Sequence, residues 1–312
     1  MEDIPQSAFD GVDEFPDAEV RGHFSSLVGL DDMKDRLVKE ASIMLDPSLL
    51  EKWSKKHHKK PIAALDYFRK RPPLFVLAGD VGTGKTSLAE SFGAEVASRE
   101  DLSVKLFRLS LRTRGSGMVG QSSTLLAKAF SEFIDQVTKM KSKTTGEKHS
   151  SGAILLIDEA DTLAQSRELA HMHHEDRAGV NTLIRGIDSI ASAKLPALVV
   201  MCSNRLDAID PAVKRRAAAI FTFTRPNDEQ RSTLLAQGLA GIELTSEDLE
   251  KLVKATGPSE GRQYGYTYSD ITQKLLPHLV LSAYPDKPIT IDDILKSANE
   301  IAPTPPFKEA LA

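Results

Sequence analysis

The eight-residue segment Gly79–Thr86 constrains this chain more than any other stretch of its sequence. Its letters, GDVGTGKT, fit the pattern G-x-x-x-x-G-K-[ST], and they lie between an apolar, strand-like run and a helical pattern. In that context glycines let backbone N–H groups close on a phosphate, and the helix that follows adds a favourable dipole. The sequence therefore predicts a nucleotide-binding loop made of Gly79, Asp80, Val81, Gly82, Thr83, Gly84, Lys85 and Thr86.

Two of these residues have predicted roles of their own. Lys85 is expected to reach the β- and γ-phosphates, and the hydroxyl of Thr86 is expected to ligate Mg²⁺. ATP and Mg²⁺ are therefore the predicted substrate nucleotide and metal.

Short apolar runs on both sides of this loop have the length and composition of buried parallel strands. They alternate with helical patterns, which predicts a parallel sheet with helices on both faces. The runs are 74–78, 104–109, 153–157, 197–202 and 220–223.

Polar residues follow two of these runs, at the strand ends where open α/β sheets place their ligands. Asp158 and Glu159 follow the third run, and Asn204 comes just after the fourth. Beside a nucleotide loop, Asp158 is expected to hold Mg²⁺ and Glu159 to orient the attacking water. Asn204 is expected to bond the γ-phosphate and that water. In isolation, the two acids would be read as surface residues that end a strand.

Arg215 and Arg216 lie just before the fifth run. They are either surface charges or fingers that reach the γ-phosphate of another subunit, an effect worth about 10³–10⁵ in rate.

Composition excludes several classes of protein. A net charge of −4 argues against a protein that coats nucleic acid, and one cysteine, Cys202, excludes a disulfide framework or a multi-cysteine zinc site. No apolar run approaches the length of a membrane span, and the acidic N-terminus lacks the features of a signal peptide. We therefore expect a soluble, cytoplasmic protein.

Shifts in pattern predict how the chain is divided. Residues 1–22 are acidic and indicate a flexible arm, or alternatively a docking arm for a basic partner. Residues 46–72 are polar and predicted to be irregular, with a solvated charge run at 55–60. The predicted parts are the arm 1–22, an α/β domain 23–226, a helical domain 227–302 and a tail 303–312.

Together these motifs resemble the AAA+ ATPases, and the resemblance covers nearly the whole chain from Phe24 to about Asn299. It implies the strand order 5-1-4-3-2 and a helical lid. Val28 and Gly29 match the opening motif, which packs near adenine. The second sensor is less clear, because Arg262 is one candidate while the lid motif places Ser269 near the family's sensor arginine.

Within that family, three stretches are similar to the pachytene-checkpoint type remodeller of HORMA-domain proteins: 118–130, 175–188 and 209–217. The similarity implies a hexamer whose pore loop, here Met118, Val119 and Gly120, pulls on a HORMA-domain protein. The short N-terminal region favours the bacterial branch, which accompanies nucleotide cyclases in anti-phage (CBASS) signalling. That branch would disassemble the activated complex of HORMA protein and cyclase.

Some residues depart from the family pattern. Asp80 and Val81 replace a proline-rich stretch and are expected to contribute only backbone. His171, His173 and His174 fall in the second pore loop, where a solvated loop is favoured over a zinc site.

Other readings of the same motifs remain open. A clamp loader or replication initiator acting with nucleic acid is one, and a nucleotide-gated scaffold with little turnover is another. The letters DEAD at 158–161 also occur in helicases, but only a short helical region follows the sheet.

Overall fold

A computed structural model describes residues 7–110, 121–143, 151–160, 174–260 and 262–307. The chain forms two compact units, each built from separate stretches. We call the first the α/β unit, which comprises Met1–Ser26, Asp32–Ala78 and Thr86–Thr222. The second, the helical unit, comprises Leu27–Asp31, Gly79–Lys85 and Phe223–Ala312.

The α/β unit is built on a six-stranded sheet with the order β1-β3-β4-β5-β2-β6. Strands β2, β3, β4 and β5 pair in parallel, whereas β1 pairs antiparallel with β3. The five predicted strands have the predicted order, and β1 adds a sixth strand beside β3. The strands are β1 Gly11–Phe15, β2 Leu74–Gly79, β3 Ser103–Ser110, β4 Ser151–Asp158, β5 Ala197–Ser203 and β6 Ala219–Phe223.

The prediction of a flexible arm over 1–22 is wrong for residues 11–15, which form β1, and for residues 18–22, which belong to an α-helix that begins at Ala18. The acidic side chains of this strand meet basic side chains of β3: Arg108 Nη2 donates to Asp13 Oδ1 at 3.2 Å, and Lys105 pairs with Glu14. Phe15 is only 3% exposed and its ring packs against Gly93. The basic groups that face Asp13 and Glu14 therefore belong to the chain's own sheet.

Helices cover the α/β unit, and their apolar faces pack on a core that includes Phe107, Phe133 and Leu155. The prediction that residues 46–72 are irregular is wrong, because this stretch holds two helices that bury Ser54 and Leu65. The charge run lies at the exposed end of the first of these helices. The helices are α1 Ala18–Ser26, α2 Asp31–Leu45, α3 Ser48–His58, α4 Ala64–Arg69, α5 Lys85–Glu100, α6 Gln121–Lys143, α7 His174–Ser192 and α8 Pro211–Lys214.

The helical unit packs around a core that includes Leu235, Leu252 and Tyr266. Capping boxes start its first, second and last α-helices, at Asn227, Thr245 and Thr290. Within the predicted helical domain 227–302, Asp270–Leu275 is a π-helical segment and an α-helix follows it directly. The α-helices are α9 Asp228–Gly238, α10 Ser246–Thr256, α11 Leu276–Ala283 and α12 Ile291–Glu300.

Within the described ranges, no helix combines the length and the apolar character that crossing a membrane requires.

Candidate nucleotide-binding site

The phosphate loop connects β2 to α5, and its glycines adopt conformations that other residues resist. Gly79 and Gly82 have φ values of +158° and +72°. A Cβ on Gly79 would lie 2.2 Å from the carbonyl oxygen of Phe223, and one on Gly82 would lie 2.7 Å from Thr267 Oγ1. The glycine spacing of the motif is therefore needed for the backbone path as well as for access to phosphate.

Lys85 is held at this loop by two backbone carbonyl groups. Its ammonium group donates to Gly79 O at 3.0 Å and to Asp80 O at 2.8 Å. The hydroxyl of Thr83 donates to Asp80 O as well, at 2.7 Å. The lysine is thus positioned at the loop whose N–H groups are expected to bind phosphate.

The expectation that Asp80 contributes only backbone is wrong, because its side chain makes an ion pair. Its Oδ2 accepts hydrogen bonds from Arg225 Nε at 2.9 Å and from Arg225 Nη2 at 2.6 Å. This two-point ion pair is largely shielded, with 18% of the Asp80 side chain and 16% of the Arg225 side chain exposed. The sequence contains no local signal for it, because the partners are 145 residues apart.

The opening motif belongs to the helical unit together with the phosphate loop. Gly29 has a φ of +71°, and its carbonyl group accepts a hydrogen bond from Gln230 Nε2 at 2.8 Å. Val28 packs against the core of the helical unit. This stretch is therefore fixed by the unit's own helices.

The predicted metal ligands Thr86 and Asp158 lie together in the α/β unit. Thr86 Oγ1 is 3.2 Å and 3.4 Å from the two carboxylate oxygens of Asp158. A hydroxyl and a carboxylate are the hard oxygen ligands that Mg²⁺ prefers, so these residues fit the metal. Among the described residues, no group of three or more His, Cys, Asp or Glu side chains is arranged to hold a metal.

The tips of β2, β4 and β5 bring the remaining predicted residues to one edge of the sheet. Ala78 pairs with Ser203, and Ile157 pairs with Met201, so Glu159 and Asn204 follow neighbouring strand ends. The backbone N–H of Glu159 donates to Asp158 Oδ1 at 2.8 Å. A carboxylate and an amide at adjacent tips can position a water molecule, as hydrolysis requires.

Glu90 is a nearby acid that the sequence reading missed. Burial raises the pKa of Glu90, the Arg108 guanidinium acts against that rise, and the charge of Asp158 adds to it. Glu90 lies on α5, four residues after Thr86, so helical spacing from the motif was the available signal.

The two finger candidates differ in their surroundings. Arg216 is held by Asp188 of α7, with Nε to Oδ1 at 2.9 Å and Nη2 to Oδ2 at 3.0 Å. These bonds raise the pKa of Arg216. Arg215 is exposed, and its side chain has no partner in the part of the chain that the structure describes. Both arginines follow α8, which begins where Asp210 Oδ1 accepts the N–H of Ala212 at 2.7 Å.

Arg262 lies where its donors are used within the helical unit. Its Nε donates to Gly257 O at 3.2 Å, its Nη2 also bonds Ala255 O, and its guanidinium lies 5.6 Å from the ring centroid of Tyr266. These contacts satisfy carbonyl groups at the end of α10, so the geometry gives no support to a sensor role. Ser269 instead donates its N–H to Gly82 O at 3.1 Å.

The predicted pore loop at Met118, Val119 and Gly120 lies outside the described residues, as do His171 and His173. The side chain of His174 is not described either.

Comparison with known proteins decides the family. The model of the ATPase family associated with various cellular activities (AAA) matches residues 75–225. CD-NTase-associated protein 6 of Escherichia coli strain MS 115-1 is 52% identical over 293 residues, which cover 94% of each chain. The chain belongs to the AAA ATPases.

Solved structures place this AAA ATPase more narrowly. A chain in the structure of the E. coli MS115-1 HORMA:CdnC:Trip13 complex matches with a TM-score of 0.87 and 50% identity, over 96% of this chain and 97% of that one. The Rhizobiales Trip13 structure matches with a TM-score of 0.73 and 42% identity, over 96% and 100%. Within the AAA ATPases, the chain is Trip13-like.

Proposed function

We propose that this AAA ATPase hydrolyses ATP and uses the reaction to remodel a HORMA-domain protein bound to a cyclic-nucleotide synthase. The class of substrate is proposed from the 50% identity, over nearly the full length, to a chain of the HORMA:CdnC:Trip13 complex. The name of the E. coli relative, CD-NTase-associated protein 6, supports the same partners. The working form is a homo-oligomer, a hexamer by family resemblance, that converts the closed HORMA protein to its open form and so holds anti-phage signalling off.

In the proposed reaction, Lys85 and the loop N–H groups hold the phosphates of ATP. Thr86 and Asp158 would hold Mg²⁺, which would neutralise charge on the phosphate oxygens. Glu159 orients the attacking water and accepts its proton, and Asn204 bonds that water and the γ-phosphate. Arg215 and Arg216 supply positive charge to the γ-phosphate of a neighbouring subunit. Met118, Val119 and Gly120 would grip the substrate polypeptide.

Glu159→Gln tests both parts of this proposal, because it removes the base and keeps the shape of the side chain. Phosphate release should fall at least about 100-fold, while the Kd for ATP should stay within about threefold. Glu250→Gln, an exposed change on α10, is the matched control and should hydrolyse ATP normally. Normal turnover in Glu159→Gln would contradict the catalytic assignment.

The same variant is also bait for the substrate, since it should hold its partner while ATP stays intact. In a lysate of the native organism, mass spectrometry should find a HORMA-domain protein, with or without a cyclase, on Glu159→Gln plus ATP. The parallel Lys85→Ala bait should lose it, because that variant cannot hold the phosphates. Clamp or replication proteins on the ATP-loaded bait would instead favour the nucleic-acid reading.

A further inference from the structure

The segment 301–307, which follows α12, is bonded to the phosphate loop within the helical unit. The backbone N–H of Phe307 donates to Asp80 Oδ1 at 3.1 Å, across 227 residues of sequence. The same Oδ1 accepts the N–H of Val81 at 2.8 Å, and Oδ2 is occupied by Arg225. Both oxygens of this loop carboxylate are therefore engaged.

Arg225 joins the loop to two further stretches of the helical unit. Its Nη1 donates to Gly265 O at 2.8 Å and its Nη2 donates to Thr304 O at 2.8 Å. The guanidinium also lies 4.9 Å from the ring centroid of Tyr264. One planar side chain, with donors in a fixed fork, thus ties the loop, residues 264–265 and segment 301–307 together.

A second acid anchors the segment itself. Asp270, whose side chain is fully buried, accepts the N–H of Thr304 at 3.0 Å and its hydroxyl at 2.6 Å. Lys274 Nζ bonds both Asp270 Oδ1, at 2.7 Å, and Thr304 Oγ1, at 2.8 Å. Segment 301–307 is thus fixed at Thr304 by buried and charged groups before it reaches the loop.

We propose that Asp80 is a positioning residue of the ATPase, and that segment 301–307 braces the phosphate loop through Asp80 and Arg225. The proposal rests on the binding of ATP by Gly79–Thr86 proposed above. A loop already fixed in its binding shape loses less conformational freedom when phosphate binds, so the brace strengthens nucleotide binding. By linkage, bound nucleotide must in turn stabilise the brace.

Asp80→Asn tests the charged half of the brace, because the amide keeps the size of the side chain and loses its charge. We expect the Kd values for ATP and ADP and the KM for ATP to rise about 10-fold, while kcat at saturating ATP falls less than about threefold. Asp286→Asn, the same change at an exposed position of the helical unit, should leave all four values unchanged.

A backbone variant tests the brace without altering the loop. Phe307→Pro removes the N–H that Asp80 accepts, whereas Phe307→Ala keeps it. ATP should bind about fivefold more weakly to Phe307→Pro than to Phe307→Ala, by loss of one hydrogen bond to a charged group. The amide of Phe307 in the unaltered protein should exchange hydrogen more slowly once ADP is bound.

Three results separate this proposal from its alternatives. Unchanged Kd and KM in Asp80→Asn and equal binding by the two Phe307 variants would overturn it, even if the melting temperature fell. An unaltered protein that neither bound nor hydrolysed ATP would instead overturn the proposed function. A 10-fold change confined to kcat in Asp80→Asn would overturn the proposed brace, because a brace acts on binding.

Discussion

Glu159 adopts a backbone conformation that non-glycine residues seldom occupy. Its φ is +54°, in the left-handed region, directly after a strand whose interior residues are buried. Such a conformation costs about 1–3 kcal/mol and persists where the surrounding structure imposes it. Here it places the proposed base immediately beyond Asp158, the proposed metal ligand, so the strain would fix the position of the base.

We predict that Glu159→Gly is more stable than Glu159→Gln by about 1 kcal/mol, because glycine adopts a positive φ without a Cβ penalty. Both variants lose the carboxylate, so both should lose ATP turnover, and only the backbone strain distinguishes them. Urea unfolding without nucleotide measures the difference. Equal or lower stability of Glu159→Gly would show that the turn stores no strain.

Asp270 is a second residue whose environment sets its chemistry. Burial alone would raise its pKa, but hydrogen bonds from Lys274, Thr304 and the Thr267 N–H outweigh burial and lower the pKa to about 2. Because this value lies below the ordinary 3.8, the carboxylate stabilises the folded state above about pH 4. That contribution is lost as the pH falls from about 4 toward 2.

We predict that Asp270→Asn lowers the free energy of unfolding at pH 7 by about 2 kcal/mol. The difference from the unaltered protein should shrink as the pH falls through the window from 4 to 2, where the native carboxylate is protonated. Denaturant unfolding at a series of pH values measures this. A difference that does not change with pH would assign the loss to packing.

At the scale of elements, strand β1 turns an acidic stretch into part of the sheet. It shields the edge of β3 by antiparallel pairing from Gly11–Arg108 to Phe15–Val104. Strand β1 is itself the outer strand of the sheet, and charged side chains on such an edge discourage pairing with other chains. The apolar contribution comes from Phe15, since Val12 on the same strand is 45% exposed.

We predict that Phe15→Ala destabilises the protein by about 3 kcal/mol, the usual cost of emptying a buried aromatic site. Val12→Ala is the matched change on the same strand and should cost less than about 1 kcal/mol, because its side chain already meets water. Thermal unfolding compares the two. Equal, small losses of stability in the two variants would favour a flexible arm over a packed strand at residues 11–15.

The sequence predicts the elements whose signals are local and misses those whose partners are distant. The phosphate loop, the two acids at the end of β4 and the runs of β2 to β6 are recognisable within a few residues each. Strand β1 is not, because its charges read as solvated until Arg108 and Lys105 are known to face them. Asp80 is missed for the same reason, as Arg225 and Phe307 lie 145 and 227 residues away.

At the scale of the whole molecule, the arginines after α8 bear on assembly. Arg216 is bonded within its own chain to Asp188, whose side chain is 50% exposed, so this finger candidate is held in place before any partner arrives. A finger acts on the nucleotide of a neighbour, which makes turnover a property of the oligomer. The Glu159 and the Arg216 of one subunit would then serve two different active sites.

We predict that Arg216→Ala and Glu159→Gln subunits, each inactive alone, regain ATP turnover when mixed. In a 1:1 mixture about a quarter of the sites in a symmetric ring pair an intact Glu159 with an intact Arg216 from the neighbour. Phosphate release from the mixed and the separate variants measures this. A mixture as inactive as its components would indicate that Arg216 acts in the same active site as the Glu159 of its own chain.

Because the helical unit is assembled from three separate stretches of the chain, the order of its synthesis matters. Phe307 is made 227 residues after Asp80. At the usual speed of a ribosome, that is a delay on the order of ten seconds or more. Throughout that delay a nascent chain has its phosphate loop but lacks the brace proposed for it. By this proposal, a nascent chain that has not yet reached Phe307 would hold nucleotide more weakly than a chain that includes it.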